Sequence, residues 1–563
     1  MAQSVATIPP FITTPIENIQ GIVNTTKTAY LSQKTRPLAY RIQQLRKLYW
    51  GLCDYTPALL EACKRDLNKS TFETQISEIE WCKNDIVFVT KNLEKWAADE
   101  KAPDMSFANK LMSPIIRKEP LGTVLVIGCW NFPVQLTLGP FIGAIAAGCT
   151  GVMKPSEISP HTAAVLEEIV NKYLDNDAYK VVQGAVKETT ALLNEKWDKI
   201  FYTGNSQVGT IIAKKAAETL TPICLELGGR NPAIVTRNTD IRLAARRLLW
   251  GKFLNAGQVC ISQNYTMIDE DVLDEFVEQM KIAMKEFYPQ GAKNSEDFAR
   301  IVSDNHFNRI KKMLDTTQGR IVIGGETDAA EKYIEPTVII VNSEHDSLIK
   351  DESFGPLMPV LPIKDLDQAI RIANSVHKTP LGLYAFGNKA EVDKILLSIT
   401  SGGATIDDAL FHASMPTMPF GGVGDSGQGA YRGKASFENF SHRRPITKTP
   451  GWMEKLLDVR YPPYAGKVHY PPSLPLLSLT IAWLIYVFPF LQLVKFNRTN
   501  ALKPNFDRNG KTVKGLGYWV GMILTLGGDS AKGGLIRWFL LVASAVATRR
   551  FLDSRGGLPS YLK

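Results

Sequence analysis

The sequence is poor in the residues that build disulfide frameworks and metal sites. None of its seven cysteines lies in a Cys-x-x-Cys pair, so the sequence predicts no disulfide scaffold and indicates a reducing compartment. None of its seven histidines is paired with a cysteine at ligand spacing, so it predicts no metal site. Residues 1–15 lack the basic and apolar segments of a secretory leader, and we expect a loose N-terminus there.

The main body also lacks net charge. Residues 1–448 hold 50 basic and 51 acidic side chains, whereas residues 449–563 hold 15 basic and five acidic ones. The net charge of +9 therefore belongs to the tail. A nearly neutral body argues against nucleic acid as a partner, and a tail that is both basic and apolar points to a membrane surface.

Short apolar runs alternate with helical patterns across most of the body. The runs at 122–128, 151–154, 179–182 and 199–202 are separated by segments of helical periodicity. This alternation is typical of a doubly wound parallel sheet. A second block of the same kind begins at residue 232, and 563 residues are too many for one core. The predicted fold class is α/β, with two doubly wound domains, a small bridging element and a C-terminal membrane-anchoring tail.

Cys260 and Glu226 are the first candidates for chemistry. Cys260 ends the run Asn-Ala-Gly-Gln-Val-Cys just past a predicted helix, and Glu226 stands at a strand end before two glycines. A thiol attacks a carbonyl only as the thiolate, and its ordinary pKa of about 8.5 means that it needs help. A carboxylate relays protons through water, so the two suggest covalent catalysis through a thioester. Each residue alone is more simply a buried apolar cysteine or a solvated glutamate.

Three further positions follow predicted strands directly. Asn131, Lys154 and Gly204 come just after their strands, at the edge where open α/β sheets bind ligands. Gly204 and Gly209 flank a helix start at which Asn205 or the following serine can serve as N-cap. Such a terminus accepts phosphate through its free backbone N–H groups and its dipole. The spacing is not Gly-x-Gly-x-x-Gly, so this signal is weak when taken alone.

Seven motifs, in order along the chain, turn these single signals into a family resemblance. They are Trp-Asn-Phe-Pro at 130–133, Lys-Pro-Ser-Glu at 154–157, Thr203-Gly204 with Gly209, Glu-Leu-Gly-Gly at 226–229, Gly-Gln-Val-Cys at 257–260, Glu-Ser-Phe-Gly-Pro at 352–356, and Pro-Phe-Gly-Gly at 419–422 with Ser426-Gly427. Over roughly residues 18–448 the chain resembles the NAD(P)-dependent aldehyde dehydrogenases. Within them it looks like the fungal-type, membrane-anchored fatty aldehyde dehydrogenase branch.

The resemblance implies a set of site residues. Cys260 would be the nucleophile, Glu226 the base for the hydrolytic water, and Asn131 the side-chain donor to the oxyanion. The backbone N–H of Cys260 would be the second oxyanion donor. The implied cofactor-binding residues are Lys154, Glu157, Gly204, Asn205, Gly209, Leu227, Glu352 and Phe354. Glu352 and Phe354 would reach the nicotinamide ribose, and no metal is implied.

The implied cofactor is NAD, with NADP as the alternative. Lys154 and Glu157 would hold the adenosine ribose, and a carboxylate at Glu157 repels the 2′-phosphate that distinguishes NADP. The chain departs from the family at three places. Asn205 replaces a usual serine that caps equally well, and Arg230 replaces a frequent lysine with the same charge. Arg432 replaces a histidine of the fatty-aldehyde branch, and the sequence assigns no effect to that change.

The predicted domain boundaries follow the same motifs. They are 17–225 for the NAD-binding domain with 99–117 contributing to the bridging element, 226–415 for the catalytic domain, 416–448 for the bridging and oligomerisation segment, and 449–563 for the tail. Residues 436–440 are predicted to form a strand, and by resemblance this piece helps to form a homodimer.

The tail carries the strongest hydrophobic signal of the chain. Residues 474–494 are 21 residues without charge, which is long enough to span a bilayer, and a basic stretch follows at 495–514. The positive-inside rule places that stretch in the cytosol, where the NAD-dependent body also belongs, so one simple span is inconsistent. We therefore expect a bent, monotopic anchor on the endoplasmic reticulum or lipid droplets, with the mitochondrial outer membrane as another location. The alternative is a buried helix.

Membrane attachment bears on the substrate. An enzyme that acts on long-chain aldehydes meets its substrate in the bilayer, so oxidation of fatty aldehydes to carboxylic acids is the leading hypothesis. An apo-carotenal, a carotenoid-derived aldehyde, is the alternative substrate with the same mechanism. A catalytically silent scaffold protein is the alternative from another class, which intact Cys260, Glu226 and Asn131 argue against. The tail disfavours an enzyme for small soluble aldehydes.

Overall fold

The computed structural model describes residues 7–103, 105 and 107–464. The strands are β1 Glu100–Lys101, β2 Ile115–Pro120, β3 Thr123–Ile127, β4 Thr150–Lys154, β5 Tyr179–Val181, β6 Lys199–Thr203, β7 Ile223–Glu226, β8 Pro232–Val235, β9 Tyr265–Asp269, β10 Arg320–Ile323, β11 Thr327–Asp328, β12 Tyr333–Ile334, β13 Thr337–Ile340, β14 Leu357–Ile363, β15 Gly382–Phe386, β16 Gly403–Ile406, β17 Gly427–Gln428 and β18 Ser441–Ile446.

Helices connect most of these strands. They are α1 Ile16–Leu31, α2 Leu38–Asp54, α3 Thr56–Leu67, α4 Thr71–Thr74, α5 Trp81–Ala97, α6 Phe107–Lys110, α7 Gln135–Ala147, α8 Pro160–Tyr173, α9 Val186–Asn194, α10 Ser206–Ala217, α11 Ile241–Phe253, α12 Leu273–Phe287, α13 Asp304–Thr316, α14 Ser347–Lys350, α15 Leu366–Val376, α16 Lys389–Ser398, α17 Gly433–Asn439 and α18 Glu454–Leu457.

The chain divides into two compact units. The first holds residues up to 101 together with 115–446, and the second holds 102–114 together with 447 onward. In the described part of the second unit, α6 and α18 are short helices, and the backbone N–H of Lys448 donates to the carbonyl of Met112 at 2.8 Å. All the site residues described below lie in the first unit.

A six-stranded sheet organises the N-terminal half of the first unit. Its strand order is β17-β7-β6-β3-β4-β5, and every pair is parallel except β17 with β7. All five residues of β3 are buried, as expected for a central strand that is covered on both faces. The predicted doubly wound parallel sheet is confirmed. Its strands end at Ile127, Lys154, Thr203 and Glu226, so these four carboxyl ends share one edge.

A seven-stranded sheet organises the second α/β block. Its order is β10-β13-β14-β9-β8-β15-β16, with only the edge pair of β10 and β13 antiparallel. The second predicted α/β block is therefore present. The helix α11 leads from β8 toward the loop that carries Cys260. Asp240 is its N-cap residue, and Asp240 Oδ1 accepts from the N–H of Leu243 at 2.9 Å.

The third sheet is antiparallel, with the order β1-β2-β18. The prediction that residues 436–440 form a strand is wrong, because α17 covers Gly433–Asn439 and the strand β18 begins at Ser441. Phe437 and Phe440 are both buried, and their three-residue spacing fits one face of a helix rather than the alternation of a strand.

The N-terminal helices pack against α7 and α8 of the six-stranded sheet. Between α4 and α5, residues Gln75–Glu80 form a π-helix, which is rare and often lies at functional sites. The predicted helical character of residues 17–98 is confirmed, although the sequence did not reveal this change of helix type.

The predicted anchor at 474–494 lies outside the described residues. Within the described part of the chain, no helix has both the length and the apolar character that a membrane crossing requires.

Candidate active site

The loop that carries Cys260 has an unusual backbone. Asn255, Ala256 and Gly257 all adopt left-handed conformations, with φ angles of 49°, 50° and 75°. A side chain at Gly257 would collide with the carbonyl oxygen of Gly355, so only glycine fits there. Such strained turns persist only where the surrounding structure holds them, and this one directs the chain from α11 to Cys260.

The buried amide side chain of Gln258 holds this loop. The Gln258 amide nitrogen donates to the carbonyls of Asn255 and Arg300, both at 3.0 Å, and its oxygen accepts from the N–H of Val302 at 3.0 Å. Gln258 therefore has a partner for its amide oxygen and two for its amide nitrogen, as a buried polar group requires. In the sequence Gln258 is visible only as part of a motif, whereas in the structure its hydrogen bonds fix the conformation of the nucleophile loop, by which we mean residues 255–260 that lead to the candidate nucleophile Cys260.

Cys260 is partly exposed and packs against the core of the second α/β block. Burial raises the pKa of the Cys260 thiol far above its usual range, and the nearby carboxylates of Glu352 and Glu226 raise it further. Its own backbone N–H lowers that pKa by a smaller amount. The sulfur therefore rests as a thiol and must lose its proton when it attacks.

Asn131 lies against the nucleophile loop. It follows β3 and is only 1% exposed. Its side-chain Nδ2 donates to the carbonyl of Gln258 at 2.9 Å, and its own carbonyl accepts from Asn255 Nδ2 at 2.8 Å. Its Oδ1 has no partner among the described residues. One N–H of the amide therefore fixes the side chain and the other is left to bind a ligand.

Glu226 ends β7 and is 2% exposed. Neither carboxylate oxygen has a hydrogen-bond partner within the part of the chain that is described. Burial raises the pKa of Glu226 well above its ordinary value, which is the direction expected from the sequence. A buried carboxyl with a raised pKa and no partner among the described residues is suited to exchange a proton with a water molecule.

The turn after β6 brings the glycine positions next to Glu226. The N–H of Gly204 donates to the Glu226 carbonyl at 3.0 Å, and Asn205 Oδ1 caps α10 by accepting from the N–H of Val208 at 2.9 Å. A Cβ added at Gly209 would lie 2.9 Å from a methyl of Leu227. The first turn of α10 therefore packs closely on Leu227 at Gly209, and its N-terminus has the backbone N–H groups and the dipole with which a helix binds phosphate.

Lys154 and Glu157 meet at the end of β4. Lys154 Nζ lies 2.7 Å from Glu157 Oε2 and donates to the carbonyl of Pro155 at 3.0 Å. Lys154 is buried and Glu157 is half-buried. The pair thus presents one positive and one negative group at the edge of the sheet.

Glu352 and Phe354 come from the second α/β block but lie near the residues that follow Glu226. A Cβ at Gly228 would be 2.6 Å from Glu352 Oε2, so the glycine allows the carboxylate to approach the backbone. The Phe354 ring packs on Trp130, with ring centroids 5.4 Å apart. Burial raises the pKa of Glu352 to about 7.

These groups fit a dinucleotide. The helix terminus at Gly204, the ion pair at Lys154 and the carboxylate of Glu352 all lie at or near the carboxyl edge of the six-stranded sheet, the position at which doubly wound sheets bind nucleotides. The fit rests on the glycine cradle at Gly209 and Gly228, where any side chain would be crowded.

Cys260 also lines a cavity of about 730 Å³. Ten aromatic side chains line it, namely Phe72, Trp81, Phe132, Trp250, Phe253, Phe287, Tyr288, Phe411, Phe420 and Tyr431. The volume falls within the range of small-molecule pockets, about 300–1,000 Å³. The cavity reaches the sulfur of Cys260 but its walls do not include Glu226 or Asn131.

Arg432 is a charged residue in this cavity wall. Its Nη2 lies 3.3 Å from Asp85 Oδ1, and its guanidinium stacks 3.6 Å from the centre of the Trp81 ring. Asp85 therefore neutralises the charge of Arg432 and Trp81 covers it, and the other charged residues of the lining are Glu73 and Asp297.

Sequence reasoning missed the cavity wall. The lining comes from segments around residues 70–81, 132–136, 250–261, 287–297 and 410–432, which carry no shared motif. The motifs at 130–133, 257–260 and 419–422 contribute Phe132, Cys260 and Phe420, whereas other lining residues such as Phe72 and Phe411 lie outside every motif, and exposed aromatics do not by themselves define a site.

Comparisons with known proteins agree with this arrangement. The aldehyde dehydrogenase family matches residues 9–446. A Beta-apo-4'-carotenal oxygenase of Neurospora crassa is 51% identical over 96% of this chain and 98% of its own length. The dimeric NADP-preferring aldehyde dehydrogenase of Mus musculus is 41% identical over 80% of this chain and 99% of its own. The substrate-bound structure of Staphylococcus aureus AldH superimposes with a TM-score of 0.77 at 36% identity, covering 80% and 98% of the two chains.

The loop that carries Cys260, the carboxyl edge of the six-stranded sheet and the second α/β block are the parts of a two-part α/β enzyme. The chain belongs to the aldehyde dehydrogenase family. It is therefore an oxidoreductase of aldehydes, and the family uses NAD or NADP.

Proposed function

We propose that this protein oxidises long apolar aldehydes to carboxylic acids with NAD or NADP. The observation that carries the proposal is the aromatic cavity of about 730 Å³ that ends at Cys260. A pocket with so few charged groups suits a substrate whose only polar group is the one that reacts. Burial of an apolar chain stabilises the complex by about 0.8 kcal/mol for each CH₂ group.

The first chemical step belongs to Cys260. Its thiol proton passes to a water molecule as the sulfur forms a bond to the aldehyde carbon, and the electron pair of the C=O π bond moves to the oxygen, which becomes an alkoxide. The free N–H of the Asn131 amide and the backbone N–H of Cys260 donate to this oxygen. Removal of one such donor typically lowers the rate by about 10²–10³-fold.

The nicotinamide, when bound, supplies the oxidising power by accepting hydride from that carbon. The product on the enzyme is a thioester of Cys260. Glu226 then takes a proton from water, and the resulting hydroxide attacks the thioester and releases the carboxylic acid. The absence of a partner for Glu226 among the described residues supports this role, because its carboxylate is free to bind water.

The cofactor would be held by the sheet edge. Gly204, Asn205 and Gly209 would receive the pyrophosphate at the start of α10, next to Leu227. Lys154 and Glu157 would bind the adenosine ribose, and Glu352 and Phe354 the nicotinamide ribose. The Glu157 carboxylate would repel a 2′-phosphate, so we propose NAD as the preferred cofactor and NADP as a poorer one.

Among apolar aldehydes we propose an apo-carotenal as the substrate. The ten aromatic rings of the cavity offer flat faces to a rigid conjugated chain, which loses little conformational entropy on binding. The Neurospora crassa relative, which matches 96% of this chain, is named for such a substrate. A saturated fatty aldehyde is the second candidate, since the aliphatic wall formed by Leu136, Leu254 and Leu410 requires no conjugation.

The test is a substrate series. Purified full-length protein is supplied with cofactor and with aldehydes of increasing length plus an apo-carotenal, and reduced cofactor is measured, with Cys260→Ala as the control. A kcat/KM that is highest for the apo-carotenal supports the first candidate, and one that rises smoothly with saturated chain length favours the second. Turnover that is highest with short aldehydes would contradict the proposal.

We also propose that the tail attaches the protein to a membrane and that the body forms a homodimer. The uncharged run at 474–494 and its basic flank support attachment, and a dimeric relative supports dimerisation. Membranes washed with carbonate should retain the full chain and release a version ending at Pro450. Release of the full chain would rule out the anchor. Light scattering of the shortened version should give the mass of two chains.

A further inference from the structure

We propose that Lys69 and Glu78 form a positioning pair for the Asn131 oxyanion donor. The inference rests on the proposed function, because it matters only if Asn131 binds the reacting oxygen. Neither residue lines the substrate cavity, and neither belongs to a motif of the sequence analysis. Both side chains are fully buried.

Lys69 touches Asn131 directly. Its Nζ donates to the Asn131 carbonyl at 3.0 Å and to Glu78 Oε1 at 2.8 Å, and it lies 4.1 Å from the centre of the Phe132 ring. A buried ammonium group has three N–H donors to satisfy, and two of these partners are oxygens while the third is an aromatic face. The ammonium group therefore contacts both residues of the Asn131–Phe132 peptide bond, the first through its carbonyl and the second through its ring.

Glu78 holds the next part of the same loop. Its Oε2 accepts from the N–H groups of Val134 and Gln135, both at 3.0 Å. These are donors at the start of α7 that no residue within the helix can satisfy, and a carboxylate there also matches the positive end of the helix dipole. Glu78 lies in the π-helix Gln75–Glu80, a rare helix type that is frequent at functional sites.

Lys69 and Glu78 thus bind the backbone of residues 131–135, and the nucleophile loop binds Asn131 through separate hydrogen bonds. Asn255 Nδ2 donates to the same Asn131 carbonyl at 2.8 Å, and the Asn131 amide donates to Gln258 at 2.9 Å. The Asn131 main chain is therefore fixed between Lys69 and Asn255. Lys69 lies two residues after the end of α3 at Leu67. The carbonyl of Leu67 accepts from the N–H of Arg300, and the carbonyl of Arg300 accepts from Gln258 Nε2, so the segment that carries Lys69 is connected to the loop that carries Cys260.

This arrangement separates positioning from stability. Removing one member of a buried ion pair leaves an uncompensated charge, but replacing both by neutral groups is often harmless to the fold. The double variant Lys69→Met with Glu78→Gln restores charge balance and keeps an amide oxygen that accepts from the start of α7. It does not restore the donor to the Asn131 carbonyl.

The experiment measures kcat, cofactor affinity and melting temperature of full-length variants with a long-chain aldehyde. The single variant Lys69→Met is expected to lose both stability and activity. The double variant should melt close to the natural protein and bind cofactor equally well, yet its kcat should remain about 10–100-fold lower, because a small misplacement of a catalytic donor has an effect of that size. Recovery of kcat together with the melting temperature would overturn the proposal.

A second cycle uses Asn131→Ala. If Lys69 acts through Asn131, the double variant should lower kcat little further in that background, and a full, additive decrease would contradict the inference. If Asn131→Ala itself leaves kcat unchanged, the proposed oxyanion role fails instead, so the two failures are distinguishable.

Two more variants guard against misfolding. Lys199→Met removes another buried lysine, which contacts Asn439 rather than Asn131, and should leave kcat unchanged. Lys69→Arg keeps the charge but replaces the compact ammonium with a larger, planar guanidinium, which does not reproduce the three contacts of Nζ with Glu78, Asn131 and the Phe132 ring, so kcat should fall about threefold or more with the fold intact. Full activity of a folded Lys69→Arg protein would argue against the positioning role.

Discussion

The two sides of Cys260 are built in opposite ways. On the sheet-edge side the candidate residues are polar or glycine, they follow the ends of adjacent strands, and close backbone approach at Gly209 and Gly228 decides what fits. On the cavity side ten aromatic rings from segments far apart in the sequence line one cavity. The contrast indicates that the chemistry depends on a few irreplaceable positions, whereas the choice of substrate is spread over many side chains that are individually replaceable.

The largest expected effect is on the sulfur itself. Cys260→Ala removes the nucleophile, and removal of such a residue lowers kcat by up to about 10⁶-fold. Aldehyde-dependent formation of reduced cofactor should fall below detection. The matched control is Cys53→Ala, which removes a partly exposed thiol on α2 and should keep full activity. Equal activity of the two variants would mean that Cys260 is not the nucleophile.

The next effect is that of Glu226. Glu226→Gln should lower kcat by about 10²–10⁴-fold, the usual contribution of a general base. Burial raises the pKa of Glu226, and only the ionised form accepts a proton, so the natural protein should gain activity as pH rises toward that pKa. The variant should lack this acid limb. A pH–rate profile of both proteins tests this, and an unchanged limb in the variant would assign it to another group.

The same residue links stability to pH. The folded-state pKa of Glu226 lies above its unfolded value, so its contribution to stability is fully present below the unfolded pKa and is lost as pH rises toward the folded pKa. Melting temperatures at pH 5 and pH 8 should therefore fall more steeply in the natural protein than in Glu226→Gln. Parallel pH dependence in the two proteins would contradict the cost assigned to this buried carboxyl.

A smaller and more selective effect is expected on the cavity side. Trp250 lines the cavity and packs on Phe411, with ring centroids 6.1 Å apart. Trp250→Ala should lower kcat/KM about tenfold for a long aldehyde and leave a short one nearly unchanged, since contact area is lost only where the chain passes. Trp50→Ala, which removes an exposed tryptophan on α2, is the control. Equal losses for long and short aldehydes would show that Trp250 supports the nucleophile loop instead.

The smallest effect concerns cofactor choice. Glu157→Gln removes the half-buried carboxylate beside Lys154, so the ratio of NAD to NADP efficiency should fall by about three- to tenfold, mostly through better use of NADP. The control is Glu218→Gln in the exposed pair with Lys215, which has the same three-residue spacing on a helix surface. An unchanged ratio in Glu157→Gln would place the selectivity elsewhere.

The contrast between the two sides also explains what the sequence revealed. Strand-end motifs predicted the positions of Asn131, Lys154, Gly204 and Glu226, because the edge of a parallel sheet collects residues that follow its strands. The parallel arrangement of β3 to β7 could be expected because strands and helices alternate along this part of the chain. Their roles in the reaction remain proposals that the variants above will test.

The rest depended on tertiary contacts. The cavity needs Phe72, Trp250 and Phe411 to meet, and no local pattern relates them. Lys69 and Glu78 belong to no sequence motif, and only the folded chain brings Lys69 to the Asn131 carbonyl and Glu78 to the start of α7. The strand prediction at residues 436–440 was wrong because the three-residue spacing of Phe437 and Phe440 fits one face of the helix α17 and not the alternation of a strand.

The most direct test of the mechanism is to trap the acyl-enzyme. Glu226→Gln protein is mixed with cofactor and one equivalent of a long apolar aldehyde, and the peptide that contains Cys260 is analysed by mass spectrometry. The mechanism predicts about one equivalent of reduced cofactor in a rapid burst and the mass of the acyl group on Cys260. Continued turnover with an unmodified Cys260 would contradict a thioester that Glu226 hydrolyses.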